Sequence, residues 1–319
     1  MKHLVRTLAF LVCCTAAASM ADSFPQRPLR IIVGFTAGTA ADIVARQIAL
    51  KLAPSLGKQV VVENREGGAG TIATAMAARA TADGHTMFIT SPSIVIGPFL
   101  IKDVPYDVFR DFAPVSMLAI FPAVLVVAAQ SRAGGVRELL ELARANPGRL
   151  NYATAGKGTA SHLSAELMRS MSGVNLVEVA YRSSSQALND TISGEVAMYF
   201  PNLAAGLPNI RAGRLKALAV TSAKRSPAAP DIAAMAEILP GYEAASWYGI
   251  SVPAGTPPAV IARLHDEIVA VLRLPEVRER LLALGGDIVA GSARDLQRVM
   301  REGADKWGPL VSAISTQNP

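Results

Sequence analysis

Cysteine is almost missing from this chain: two residues, Cys13 and Cys14, among 319. Both fall in a leading stretch with the marks of an export signal. Lys2 and Arg6 give a positive start, Leu8 to Ala18 form a short apolar run, and Ser19-Met20-Ala21 supply small residues where a signal peptidase cuts. The run is too short to span a bilayer, so residues 1–21 are expected to be removed after Ala21. Cys13 and Cys14 also lack the small residues that precede a lipidated cysteine. The mature chain would then hold no disulfide, no thiol nucleophile and no thiolate metal ligand.

Long hydrophobic runs are missing beyond the leader, so no membrane span is expected. Aromatic residues make up 5% and charged residues 18%, against 51% hydrophobic, a balance suited to packed α/β layers. No lysine and arginine stripe with interleaved aromatics is present, which argues against a nucleic-acid partner. The formal net charge of +6 falls to +4 once Lys2 and Arg6 leave; it serves solubility and attracts anionic solutes weakly.

Catalytic patterns are scarce too. There is no Gly-x-Ser-x-Gly elbow, and His85, His162 and His265 stand far apart without metal-ligand spacing. Ser161 and His162 are neighbours on one helical turn, a poor geometry for a nucleophile and its base. His162 is expected instead to pack beneath its turn and bond a backbone group. The carboxylates form no evident pair, Trp247 and Trp307 read as core or interface residues, and neither a repeat nor a low-complexity tract stands out. No cofactor is implied.

What is present is alternation. Short β-branched runs (Leu29 to Val33, Val60 to Glu63, Thr86 to Thr90) are separated by helical periodicities at Asp42 to Leu56 and Thr71 to Ala80. The pattern resumes with Asn151 to Ala155, Ser161 to Met171, Asn175 to Val179 and Ser184 to Ser193. It predicts mostly parallel sheets flanked by helices, and the mature length suits two domains. Thr256 and the prolines after it predict a capped helix start. In such sheets ligands lie at the carboxyl ends of strands, so the turns from strand to helix carry the functional reading.

The first such turn is G-F-T-A-G-T-A-A-D, Gly34 to Asp42, in which Thr39 and Asp42 fit a capping box. Small residues there would let backbone N–H groups approach an anion. The second is Ser91-Pro92-Ser93. The third, Ala155-Gly156-Lys157-Gly158-Thr159-Ala160-Ser161-His162, has Gly156-x-Gly158-x-x-Ser161 with Glu178 further on, close to a dinucleotide fingerprint. An oxidoreductase using the Gly156–Ser161 turn is therefore the alternative from another class, and a solute sensor is a third. A similar run, Gly68-x-Gly70-x-x-Ala73, lacks the later acid. The fourth turn is Tyr181-Arg182-Ser183-Ser184-Ser185-Gln186, where Ser183 and Gln186 fit a capping box and Arg182 offers a cation.

Taken in order, several segments resemble the receptors of tripartite tricarboxylate transporters, the Bug receptors. These are P-x-R-P-L-R-I-I-V from Pro25, the Gly34 turn, V-V-V-E-N-R-E-G-G-A-G-T-I-A from Val60, A-D-G-H-T from Ala82 and V-P-Y-D-x-x-x-D-F-A-P-V from Val104. N-Y-A-T-A-G-K-G-T-A-S-H-L, I-R-A-G-R-L-K-A-L-A-V-T-S from Ile210 and W-Y-G-I-S-V-P-A-G-T-P from Trp247 complete the series. The resemblance implies a two-domain α/β periplasmic-binding-protein fold of the type II Venus-flytrap kind, with a ligand cleft between domains. It implies domain 1 over 22–121 and 247–319 and domain 2 over 122–246. It further implies a non-enzymatic, monomeric periplasmic receptor that holds a small organic carboxylate and delivers it to integral membrane transporter subunits.

The contacts implied by the resemblance are Phe35, Gly38, Thr39, Ala40, Asp42 and Ser91 on the first domain. On the second they are Ala155, Gly156, Gly158, Thr159, His162, Tyr181 and Ser183. The sequence departs from the family's F-P-P-G-G-x-x-D at Thr36, Ala37 and Thr39, and from V-P-Y-K-G at Ala180, Arg182 and Ser183. Side chains at Thr39 and Ser183 are expected to narrow the cleft.

Overall fold

The computed structural model describes residues 24–317 apart from 157 and 182. The leader and its cleavage point, Lys157 and Arg182 lie outside the described residues. Packing divides the chain into two units. Unit 1 is the described chain up to Leu118, with Tyr248–Val277 and Ala290–Asp305; unit 2 is Ala119–Trp247, Arg278–Val289 and the chain from Lys306. In the sequence reading 247–319 is one piece of the first domain, whereas Arg278–Val289 and the residues from Lys306 group with unit 2.

In unit 1 the alternation builds β1 (Leu29–Val33), α1 (Ala40–Leu56), β2 (Val60–Asn64), α2 (Thr71–Ala78), β3 (Thr86–Thr90) and α3 (Pro92–Leu100). Ile31, Ile32 and Val33 are buried on both faces of β1, as a central parallel strand requires. Helix α1 buries Ala41, Val44, Ala45, Ile48, Ala49, Leu52 and Leu56, a stripe at helical spacing, and stops at Gly57 in a left-handed cap (φ 64°). With β4 (Phe112–Phe121), β10 (Ser246–Pro253) and β11 (Asp287–Gly291), the six-stranded order is β11-β4-β10-β3-β1-β2. Strand β1 runs parallel to β2 and β3, and β10 runs antiparallel to β3. The ends of β1 and β3 and the start of β10 therefore share one edge of the sheet.

Unit 2 contains β5 (Val124–Ala128), α4 (Val136–Ala145), β6 (Asn151–Thr154), α5 (Ala160–Ser172), β7 (Val177–Ala180), α6 (Ser184–Ser193), β8 (Met198–Tyr199), α7 (Leu203–Arg211) and β9 (Leu215–Val220). Its order is β7-β6-β8-β5-β9, around a core of Val124, Val126, Ala153, Val196, Tyr199 and Val220. Strands β6, β7 and β8 are parallel, so their carboxyl ends line one edge; β5 is antiparallel to β8 and β9. Both sheets are thus more mixed than the alternation alone predicts. Helices α8 (Pro258–Arg273), α9 (Pro275–Ala283) and α10 (Ala293–Gln317) complete the described chain.

Three elements escape the sequence reading: α3, α7 and β11. Helices α3 and α7 carry Pro98 and Pro208 inside, which reads as breaking a helix, and α3 is apolar on nearly every side, so no period marks it. Thr256 does not cap α8. Its hydroxyl donates to the Pro253 carbonyl at 2.8 Å, and Pro257 holds the N-cap position.

Candidate functional site

In unit 1 the turn after β1 is set by a close backbone approach. A Cβ placed on Gly34 would lie 3.1 Å from the Gly70 Cα and 3.3 Å from the Ala73 Cβ. The glycine run Gly67-Gly68-x-Gly70 thus serves packing against this turn. Thr39 is the N-cap of α1 (φ −72°, ψ 162°), but its hydroxyl donates backward to the Thr36 carbonyl at 2.8 Å and makes no cap. The expected capping box is not formed, because Asp42 reaches one residue further back. Its carboxylate accepts the Gly38 N–H at 2.9 Å, Arg46 Nε at 2.9 Å and Asn64 Nδ2 at 2.9 Å. Asn64 also donates to the Phe35 carbonyl at 3.0 Å and accepts from Arg46 at 2.9 Å. Burial disfavours the charged Asp42, but the bonds from Arg46, Gly38 and Asn64 outweigh it and hold the carboxyl below its ordinary range.

Phe35 sets its ring edge-on to Tyr248 at 6.4 Å, and burial pushes the Tyr248 phenol up to about 12. Ser91, buried at the end of β3, is the N-cap of α3; its hydroxyl shares a hydrogen bond with Ser93 at 3.0 Å. One line further in, Thr90 and Ser251 share another at 2.7 Å.

The turn after β6 in unit 2 repeats the backbone course and two of the bonds of the first, and adds a cap, since the Thr159 hydroxyl also accepts the His162 N–H at 3.5 Å. Thr159 is the N-cap of α5 (φ −73°, ψ 161°), and its hydroxyl donates back to the Gly156 carbonyl at 2.6 Å. Gly158 (φ 77°) stands where Gly38 (φ 84°) stands. Its N–H is accepted four residues on by His162 Nδ1 at 3.3 Å, where unit 1 uses Asp42. The Ala155 N–H goes to Ser161 Oγ at 3.1 Å and the Gly156 N–H to Thr154 Oγ1 at 3.2 Å. The Gly38, Ala155, Gly156 and Gly158 N–H groups are therefore spent inside the protein. The glycines shape the turns; they do not offer these donors to a solute.

A dinucleotide fingerprint needs a small third residue and an acid free for a ribose. Here the Ser161 hydroxyl reaches back into the turn, and Glu178 accepts from Thr154 at 2.7 Å. Tyr181 follows β7. Its phenol is pushed up to about 12, by burial first and then by its hydrogen bond to Asp190 and the charges of Asp190 and Glu195. Ser183 caps α6, accepting the Gln186 N–H at 3.2 Å. On β8, burial raises the Tyr199 phenol, and the nearby Ser184 and Ser161 hydroxyls oppose the rise.

In unit 1 the structure brings Phe35, Gly38, Thr39, Ala40 and Asp42 into one turn and Ser91 to the end of a neighbouring strand on the same edge. In unit 2 it does the same for Ala155, Gly156, Gly158, Thr159 and His162, with Tyr181 and Ser183 at the next strand end. Sequence reasoning missed Arg46, Asn64, Tyr199 and Tyr248, and it missed the repeat. The signal was present: Gly38-Thr39-Ala40 and Gly158-Thr159-Ala160 are each followed, two residues on, by an acceptor side chain.

Chemically, each turn ends at a helix whose first N–H groups, those of Ala40 and Ala41 or Ala160 and Ser161, have no acceptor within the helix. Such an end favours negative charge. Among the described residues no group of three or more His, Cys, Asp or Glu side chains could hold a metal ion.

The family profile described as "Tripartite tricarboxylate transporter family receptor" matches residues 44–316. The chain is 40% identical, over 296 residues, to the UPF0065 protein in the tcbD-tcbE intergenic region of Pseudomonas sp. strain P51, covering 92% of this chain and 88% of that one. Among solved structures it is similar to R. palustris Rpa4515 with adipate, at 34% identity and TM-score 0.81, covering 91% of this chain and 98% of that one. It is also similar to MatC from Rhodopseudomonas palustris with bound malate, at 29% identity and TM-score 0.78, covering 90% and 100%. By its strand-end turns and by a match that runs through both units, the chain belongs to the tripartite tricarboxylate transporter receptor family.

Proposed function

We propose that this chain is a periplasmic solute-binding receptor that captures a small organic carboxylate and presents it, chemically unchanged, to the membrane subunits of a tripartite tricarboxylate-type transporter. It acts as a monomer, exported with its leader removed after Ala21. The observation that carries this reading is the turn built twice, at Gly34–Thr39 and Ala155–Thr159, in a family whose solved members include one with adipate and one with malate. No described helix is long and apolar enough to cross a membrane.

In this reading Phe35, Thr39, Ala40 and Ser91 in unit 1 and Ala155, Gly156, Thr159, Tyr181 and Ser183 in unit 2 lie against the solute. Gly38, Asp42, Gly158 and His162 hold the turns in shape. Hydrogen bonds to a charged group contribute about 1.5–3 kcal/mol each. Four or five would give roughly 6–15 kcal/mol before ordering costs, and micromolar binding needs roughly 8 net. A buried cation is not required.

The test is thermal unfolding of the mature chain, Asp22–Pro319, freed of bound solute, with adipate, malate, amino acids and NAD. A ligand at 100 times its dissociation constant stabilises by about 2.7 kcal/mol, a rise of roughly 4–5 °C at this size. A rise with one carboxylate class, diminished in Gly156→Val, is the expected outcome. A rise with NAD alone would overturn the receptor reading.

A further inference from the structure

We propose that His162 is a proton-sensitive positioning residue: its neutral Nδ1 latches the Gly158 N–H, and protonation releases that latch and weakens carboxylate binding at the α5 turn. The inference rests on the carboxylate reading above and adds its regulation. The side chain is 1% exposed, so it acts through the turn and not by touching solute. A ring nitrogen accepts a hydrogen bond only while it carries no proton. The bond from Gly158 N to His162 Nδ1, at 3.3 Å, therefore requires the unprotonated nitrogen, and a proton there would set two donors face to face.

The twin turn supplies the comparison. Asp42 does the same work for Gly38 with a carboxylate held below its ordinary range, so the unit 1 latch stays closed throughout the neutral and mildly acidic range. The unit 2 latch is built on the one side chain whose ordinary titration, about 6.5, falls inside that range. One half of a repeated device is thus proton-blind and the other is not.

Ionisable groups on the elements around α5 have bonds of their own. On α5, Glu166 accepts from Arg169 at 2.5 Å and from Tyr152 of β6. On β7, Glu178 accepts from Thr154. On β8, Ser184 and Ser161 oppose the rise that burial gives the Tyr199 phenol. From the segment before β10, Tyr242 donates to the Ser164 carbonyl at 2.8 Å, and the Glu243 carbonyl accepts from Lys306. Lys157 adds a cation within the sequence of the turn. The carboxylates of Glu166 and Glu178 are thus already partnered, and that of Glu243 feels the charge of Lys306.

The experiment follows ring and affinity together in the mature chain, with ¹⁵N-labelled histidine and adipate as the probe, from pH 8 to pH 5. His162→Asn runs beside it, because Asn Oδ1 keeps an acceptor near the Nδ1 position with no proton to gain. At pH 8 the expected result is an unprotonated His162 Nδ1, and the affinity of each protein at that pH serves as its own reference. Below the ring's titration the wild-type affinity should drop, relative to the variant, by up to about tenfold per pH unit, the slope of one linked proton.

Three results would overturn the gate: Nδ1 protonated at pH 8, a ring neutral down to pH 5, or an affinity ratio flat or rising through the ring's titration. If neither adipate nor malate binds either protein, the carboxylate reading fails separately. The latch is then read from the Gly158 amide resonance, which tracks the ring's titration if the bond exists and stays fixed if it does not. Should His162→Asn not fold, His162→Asp transplants the unit 1 acceptor and takes its place.

Discussion

At the scale of single residues, Asp42 gathers more of the unit 1 turn than any other group there. Three donors converge on it, so Asp42→Ala strands the Gly38 N–H and Asn64 as well as Arg46. The expected loss is about 2 kcal/mol, moderated because Arg46 is half exposed. The folded carboxyl is held below its ordinary value, so its contribution is complete above about pH 4 and is lost as pH falls through the lower folded value. Urea unfolding of wild type and variant should therefore differ by a constant amount from pH 7 to about pH 4 and converge below it. A difference that disappeared already at pH 6 would mean that Asp42 does not hold these bonds as a carboxylate.

The residue scale also marks where sequence reading stopped. Thr39 and Asp42 had the spacing of a capping box, and spacing cannot tell whether an acid reaches the N-cap N–H or the one before it. Gly38, with φ at 84°, turns its N–H into the path of the carboxylate and decides the matter. His162 was legible as a buried residue on a backbone group. Its equivalence to Asp42 was not, since an imidazole and a carboxylate share no sequence signature.

At the scale of elements, the two glycines of the unit 1 turn do different work, and substitution separates them. Gly34 sits against backbone, so any side chain pushes on Gly70 and Ala73. Gly38 has open space around it but a left-handed backbone. Alanine at either position should cost roughly 1–2 kcal/mol. Asparagine tolerates the left-handed region, so Gly38→Asn should recover part of that loss, whereas Gly34→Asn should deepen it. Thermal midpoints of the four variants check this, and equal behaviour at both sites would contradict it.

Helix α1 was readable because Val44, Ile48 and Leu52 mark one face. Helix α3 was not, because Ser93-Ile94-Val95-Ile96-Gly97-Pro98 is apolar all round and ends in two residues that usually break helices. Strand β11 follows two glycines, and its place at the sheet edge beside β4 depends on a long-range pairing that no local pattern announces.

At the scale of the whole molecule, unit boundaries fall inside β4, β10 and β11. Each of these strands gives residues to both units, so loss of one unit pulls at strands of the other. The expectation is a single cooperative heat transition, with calorimetric and van't Hoff enthalpies in agreement. Two resolved transitions in the scanning calorimeter would refute it.

The interleaving also sets a timetable. Unit 1 needs Ala290–Asp305 and unit 2 needs Arg278–Val289 together with the chain beyond Lys306. A chain emerging N-terminus first, from a ribosome or through a membrane, presents every strand of the unit 2 sheet by Val220, yet both units still wait for segments that follow Val277. Early fragments of ordinary two-domain chains can fold and become safe; this one stays open to chaperones and proteases until those later segments arrive. A nonsense codon anywhere before α10 would cost both units at once.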